Sequence, residues 1–199
     1  GLRFLKKLNL EYVHLLDSQE DLSTIVSWNG WNITFIPYLT QDSLLDKEDL
    51  PMGQTLSSAM LCFSGMCLTD EPIKSSVRYA VSKDAERGVP IAFDLNYRPG
   101  LWRAEASVKK AVAPLLPLID IYKSSDDELY LVTGEKDFKA AAKKLAAYGC
   151  RLIVSTKGNH GAEYYYLGHT GRAPAFNVPV VDTTGAGDCF FAALLYQVN

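Results

Sequence analysis

The chain has 199 residues, 48% of them apolar and 22% charged, with a net charge of −3. That length suits one domain, and that composition allows a packed core and argues against disorder. The charge leaves no basic face for nucleic acid, no apolar run approaches the roughly 20 residues of a membrane span, and residues 1–7 lack the apolar stretch of a signal peptide.

Residues 1–10 carry a weak helical pattern, with apolar side chains at 2, 4, 5 and 8. Residues 24–36 hold two β-rich runs around Asn29-Gly30, a pair that tolerates positive φ and predicts a hairpin. Trp28 and Trp31 flank that turn and are read as cross-strand packing. Residues 39–54 are polar and irregular, a connection. A strand is predicted over 59–64, then a helix over 71–87 with Thr69 or Asp70 as cap, Pro72 in its first turn and Gly88 as its stop. A strand over 89–94, a helix over 104–116 and a strand over 119–123 follow. Helices over 126–132 and 137–148, the second closed by Gly149, lead to a strand over 151–156. Strands alternating with helices of this length predict an α/β fold around a mostly parallel sheet. The tail breaks that rhythm. Residues 162–167 and 175–181 read as an antiparallel pair at the sheet edge, with Tyr164, Tyr165 and Tyr166 in packing roles. Residues 189–198 form a helix with apolar residues on nearly every face, expected to be buried. The final helix has no stop signal and the first has no strand before it, so both ends read as cut from a longer chain.

Cys62, Cys67, Cys150 and Cys189 form no C-x-x-C pair, and His14, His160 and His169 have no ligand spacing to them. They are read as reduced buried thiols of a cytoplasmic protein, with no zinc site.

The sharpest chemical feature runs from Val180 to Asp188. An apolar strand ends at Asp182, and Thr183-Thr184-Gly185-Ala186-Gly187-Asp188 opens the last helix. Glycines allow a tight turn and close approach to a ligand, and the unpaired N–H groups of a helix start favour phosphate. A carboxylate would repel phosphate there. Asp188 makes sense as a base that takes a proton from a hydroxyl while the amides hold a transferring phosphoryl group. No P-loop string is present, and the dinucleotide pattern fails where Phe190 replaces its third glycine, so a nicotinamide enzyme is a poor second.

The string 182–188 resembles the C-terminal signature of the ribokinase (phosphofructokinase-B) sugar kinases. Three further segments resemble that family in its order. Residues 93–102, Phe-Asp-Leu-Asn-Tyr-Arg-Pro-Gly-Leu-Trp, are similar to a strand-end motif of the fructokinase and 2-keto-3-deoxygluconate kinase branches. Residues 122–129 resemble its N-x-x-E segment, with Ser125 in place of Asn, and 154–162 resemble its T-x-G-x-x-G turn. The resemblance implies a three-layer ribokinase-like sandwich, a single domain over 1–199 incomplete at both ends, and a small β lid around 23–38.

It also implies roles. Asp188 would be the base, with the amides of Gly185, Ala186 and Gly187 as the anion hole. Arg98 and Asn96 would face the sugar or its acidic group. Ser125, Glu128, Thr156, Gly158 and Gly161 would line the nucleotide phosphates, Glu128 holding magnesium through water. Lys123, at a strand end beside this segment, reads as structural rather than catalytic. The expected reaction moves the γ-phosphoryl group of ATP, with Mg2+ and the option of a monovalent cation, to a hydroxyl of a fructose-like sugar or 2-keto-3-deoxygluconate. Residues 35–38 hold no arginine, which weighs against a sugar acid. The alternative is a non-catalytic sugar- or nucleotide-binding remnant of such a kinase. No nucleic acid or membrane partner is expected, and an exposed lid strand offers an edge for a homodimer.

Overall fold

The computed structural model describes residues 12–16, 23–27, 33–34, 44–50, 52–180, 183 and 185–198. The chain divides into two compact units, Gly1–Ile91 and Ala92–Asn199.

In the first unit, β1 (Tyr12–Leu16) and β2 (Ser23–Ser27) form an antiparallel ribbon with Tyr12 opposite Ser27 and His14 opposite Ile25. β3 (Ile33–Thr34) runs parallel to β4 (Met60–Ser64). The turn of the expected hairpin about Asn29-Gly30 lies outside the described residues; of its two arms, β2 pairs with β1 and β3 with β4, and the two arms lie close to each other. The sequence Tyr-Val-His-Leu-Leu of β1 is β-forming, and the polar run 17–21 separates it from β2, a hairpin signal of its own. Trp28, Asn29, Gly30 and Trp31, like the weak helix over 1–10, lie outside the described residues.

The connection over 39–54 contains a 3-10 turn, Lys47–Asp49, closed by a reciprocal cap from Asp46 and Asp49, and a short helix α1 (Met52–Thr55). Helix α2 (Ile73–Glu86) buries Ile73, Val77, Ala80 and Val81, which recur at helical spacing. Neither expected cap serves it. The Thr69 hydroxyl donates to Met66 O (3.0 Å), and the first turn is held by Glu71, whose Oε2 accepts from Ser75 N (3.1 Å) and Oγ (2.6 Å). The helix begins after Pro72, so capping shifts to the residue nearest its first free amides. The Ser76 hydroxyl donates to Leu45 O (2.9 Å) and ties the preceding segment to α2.

In the second unit, β5 (Ile91–Asp94, its first residue in the first unit), β6 (Ile121–Ser125) and β7 (Leu152–Thr156) are parallel neighbours. β8 (Ala162–Tyr166) adds antiparallel to β7, and β9 (His169–Ala173) antiparallel to β8. Helices α3 (Glu105–Val112), α4 (Asp126–Thr133), α5 (Phe138–Ala146) and α6 (Ala186–Val198) complete it. The first four residues of β6 and of β7 are buried in succession, as expected for strands covered on both faces. Phe93 and Tyr122 pack at 5.5 Å between ring centroids, and Ala141, Ala142 and Leu145 face the core from α5.

The antiparallel edge exists, but its second strand is β9 rather than 175–181. Leu167 (φ 46°) and Gly168 (φ 94°) make a two-residue turn, and residues 174–180 have no regular structure and are exposed. β9 is polar and contains Gly171, so nothing in its composition marks a strand; Gly171 leaves room for the Tyr164 ring across the pair. Helix α6 buries only its stripe of Phe191 and Leu195, leaving Phe190, Tyr196 and Val198 exposed. Its all-round apolarity reports a tendency to be covered, not a neighbour that covers it. Cys62, Cys67 and Cys150 are buried free thiols as expected, whereas Cys189 is exposed. Burial, helped by Asp120, pushes the Cys150 thiol up to about 12, so it is inert at neutral pH. Among the described residues no helix is long and apolar enough to cross a membrane.

Candidate active site

The second unit gathers its polar residues where β5, β6 and β7 end. Parallel pairing sets Asp94 beside Lys123, and Ser125 beside Thr156. Lys123 Nζ donates to Asp94 Oδ2 at 2.7 Å, with both side chains only 7% exposed. Burial pushes the Asp94 carboxyl up to about 6; the ammonium opposes the rise without cancelling it, and Glu128 and Asp188 reinforce it. Asp188 is thus near enough for its charge to be felt at Asp94. The first turn of α6 also meets the ion pair directly, since a Cβ at Gly187 would lie 3.1 Å from Lys123 Nζ.

That turn is built by two backbone bonds. Ala186 N–H donates to Thr183 O (3.0 Å), and Cys189 N–H donates to Gly185 O (2.9 Å), the first bond of the helical ladder. Gly185 has φ 76°. The amides of Gly187 and Asp188 fall in the first turn, where a helix offers them no acceptor. Of the three amides expected to make an anion hole, those of Gly185, Ala186 and Gly187, Ala186's is turned back to Thr183 O. Asp188 is exposed in this turn. Asp182 and Thr184 lie outside the described residues.

Glu128 stands at the start of α4 in a reciprocal cap. Ser125 N–H donates to Glu128 Oε2 (2.7 Å), and Glu128 N–H donates to Ser125 Oγ (3.3 Å). Its other oxygen, Oε1, accepts from Tyr97 N–H at 2.6 Å. The carboxylate therefore clips the loop after β5 to the start of α4. Both oxygens already accept an amide, and each keeps one lone pair for a water. Among the described residues there is no cluster of three metal-ligating side chains. The residues fit a magnesium ion carried mainly by phosphates and water, with Glu128 at one remove.

The clipped loop holds Asn96 at φ 43°, a conformation asparagine tolerates, and Arg98, exposed, whose guanidinium donates to Tyr97 O (3.2 Å). After β7, the Thr156 hydroxyl points back to Ser124 O (3.4 Å), and Lys157 N–H donates to Gly161 O (2.8 Å) across the 3-10 turn Gly158–His160. Glu163 accepts from both Lys157 and Arg172 at 2.7 Å; burial raises its carboxyl, but these two cations outweigh burial and hold it below the usual range. Gly161, at φ 87°, packs so closely that a Cβ would collide with the Ala173 carbonyl oxygen. Gly161→Ala is therefore expected to destabilise the fold by about 1–3 kcal/mol, read as a lower urea midpoint; an unchanged midpoint would refute this packing.

The structure thus brings Asp188, Gly187, Lys123 and Asp94 to one place and Ser125, Thr156 and Glu128 to the adjoining strand ends. Sequence reading passed over Asp94 and treated Lys123 as structural. The available signal was a charged residue directly after an apolar run in each of two neighbouring expected strands, Asp94 after Ile-Ala-Phe and Lys123 after Ile-Tyr.

Residues 5–198 match the pfkB family carbohydrate kinase description. The chain is 31% identical over 158 residues to fructokinase-2 of Zea mays, covering 79% of this chain and 47% of that protein. It is 30% identical over 195 residues to the fructokinase of Klebsiella pneumoniae, covering 96% and 62%. Among solved structures, the fructokinase of Vibrio cholerae O395 in its fructose, ADP and calcium ion bound form matches with TM-score 0.71 and 26% identity, covering 94% of this chain and 56% of that one. The chain spans about half the length of the curated relatives it matches.

Proposed function

The chain belongs to the pfkB family of carbohydrate kinases, and from that premise we propose that the protein phosphorylates a fructose-like sugar, with ATP as donor and Asp188 as general base. The observation that carries this reading is Asp188 standing in the first turn of α6, beside amides that a helix leaves without acceptors.

In this reading the sugar hydroxyl oxygen attacks the γ-phosphorus, the bond from that phosphorus to the bridging oxygen breaks, and ADP leaves with the electron pair. The hydroxyl proton goes to the Asp188 carboxylate. The Gly187 and Asp188 amides stabilise charge on the transferring group, as does the positive end of the α6 dipole. Ser125, Thr156, Gly158 and Gly161 line the nucleotide side; Asn96 and Arg98 line the sugar side, held there because Glu128 clips their loop. Magnesium, when bound, neutralises phosphate charge. A lid element around residues 23–38 would serve to exclude water from the reaction.

Fructose is favoured by the names of the similar kinases, by the fructose held in the Vibrio structure, and by the missing arginine over 35–38. The test is ADP release from ATP and Mg2+ with fructose, ribose, tagatose, 2-keto-3-deoxygluconate and a nucleoside. Turnover is expected with fructose foremost. A preference for 2-keto-3-deoxygluconate would overturn the neutral-sugar assignment, and a folded protein that releases no ADP with any of them would overturn the kinase reading.

A further inference from the structure

We propose that Lys123 is a positioning residue for phosphoryl transfer: anchored by Asp94, its ammonium packs against Gly187 and fixes the turn that aims the Gly187 and Asp188 amides. This rests on the kinase reading above.

Three observations carry it. Lysine is almost never fully buried unless paired, and Lys123 is 7% exposed with one ion-pair partner among the described residues, Asp94. The pair is a poor stabiliser. Burying both charges is costly, and Asp94 Oδ1 is buried without a hydrogen-bond partner among the described residues, so well-packed apolar residues would hold these strands as well or better. Its placement, by contrast, is specific. Glycine at 187 lets the helix start rest closely on the ammonium, since a Cβ there would lie 3.1 Å from Nζ and press on it. A fixed positive charge thus underlies the turn on which negative charge develops during transfer. With Asp94 holding one of its three protons, the ammonium cannot swing away from the turn.

The test compares Lys123→Met, Lys123→Arg, the double variant Asp94→Leu/Lys123→Met, and Lys144→Met, whose ammonium contacts Thr133 O and Glu135 far along the chain. Each is assayed for ATP-to-fructose transfer and thermal stability. Misplacing reacting groups by about 1 Å can cost roughly 10²-fold. Lys123→Met is expected to lower kcat by roughly 10- to 10²-fold, with KM for fructose nearly unchanged. Lys123→Arg should recover part of the loss, and Lys144→Met should match wild type. If Lys123→Met does not fold, the double variant decides, since it removes both charges. A folded Lys123→Met or double variant with wild-type kcat overturns the proposal, as does a loss that appears only in KM. Should wild type phosphorylate no sugar, the kinase reading fails on its own. Calorimetry with ADP then judges Lys123: weaker binding by Lys123→Met, roughly tenfold, upholds an anion-positioning role, and equal binding, or none by wild type, overturns it.

Discussion

Replacing Asp188 with asparagine is expected to lower kcat by roughly 10²–10⁴-fold, the usual worth of a general base. Asparagine has nearly the same shape and leaves the backbone amides where they are, so it isolates proton acceptance from geometry. The fold should barely notice. An acidic residue in the first turn of a helix gains about 0.3–1 kcal/mol from the dipole, and Asp188 is exposed, with no ion pair to lose among the described residues. Nucleotide affinity should hold or rise, because the substitution removes a negative charge beside the phosphates. Steady-state kinetics with fructose, together with ADP calorimetry, separates these effects. Near-normal turnover by a folded Asp188→Asn would end the base assignment; lost turnover with lost ADP binding would point to a disturbed helix start instead.

The parts of the ribokinase-like α/β fold that were legible in the sequence are those where local signals coincide. Residues 59–64 and 151–156 are short apolar runs bounded by turn formers, and the structure places β4 and β7 within a residue of them. Gly88 stops α2 with φ 76°, as a terminal glycine should. What was not legible depends on partners. The Asn29-Gly30 signal is local, whereas the pairing of β2 with β1 brings in a partner strand from before it. β9 is a strand because β8 turns back at Leu167-Gly168, not because His-Thr-Gly-Arg-Ala favours extension. At the site, the string ending in Asp188 announced itself because a glycine turn that opens a helix start to phosphate and a carboxylate that repels phosphate conflict unless chemistry requires both. The Asp94–Lys123 pair did not, because register across two strands, 29 residues apart in sequence, creates it. Glu128 was read as a phosphate-side ligand; the structure adds a role invisible in the motif, the clip to Tyr97 N.

The same pair yields the largest expected effect on stability, and its two halves should respond oppositely to pH. Asp94→Ala strands the Lys123 ammonium in the core, and breaking a buried pair this way costs about 3–5 kcal/mol. An unpaired buried lysine is pushed below its ordinary value, so its stability contribution is greater at high pH and is lost as pH falls. Lys123→Met strands the carboxylate instead. Asp94 already sits at about 6 because burial outweighs its partner, and losing the ammonium moves it higher. A raised carboxyl contributes stability that is fully present below its unfolded value, about 3.9, and is lost as pH rises through the folded value. Glu128 and Asp188, which also act on Asp94, are common to wild type and variants and largely cancel in the difference. Urea unfolding at pH 5 and pH 8 should therefore find the deficit of Lys123→Met, relative to wild type, smaller at pH 5. The deficit of Asp94→Ala should be larger there. Parallel deficits at both pH values, or a deficit under about 1 kcal/mol for Asp94→Ala, would mean that water reaches the pair in solution. It would then be a surface contact rather than the buried anchor on which the position of the helix start depends.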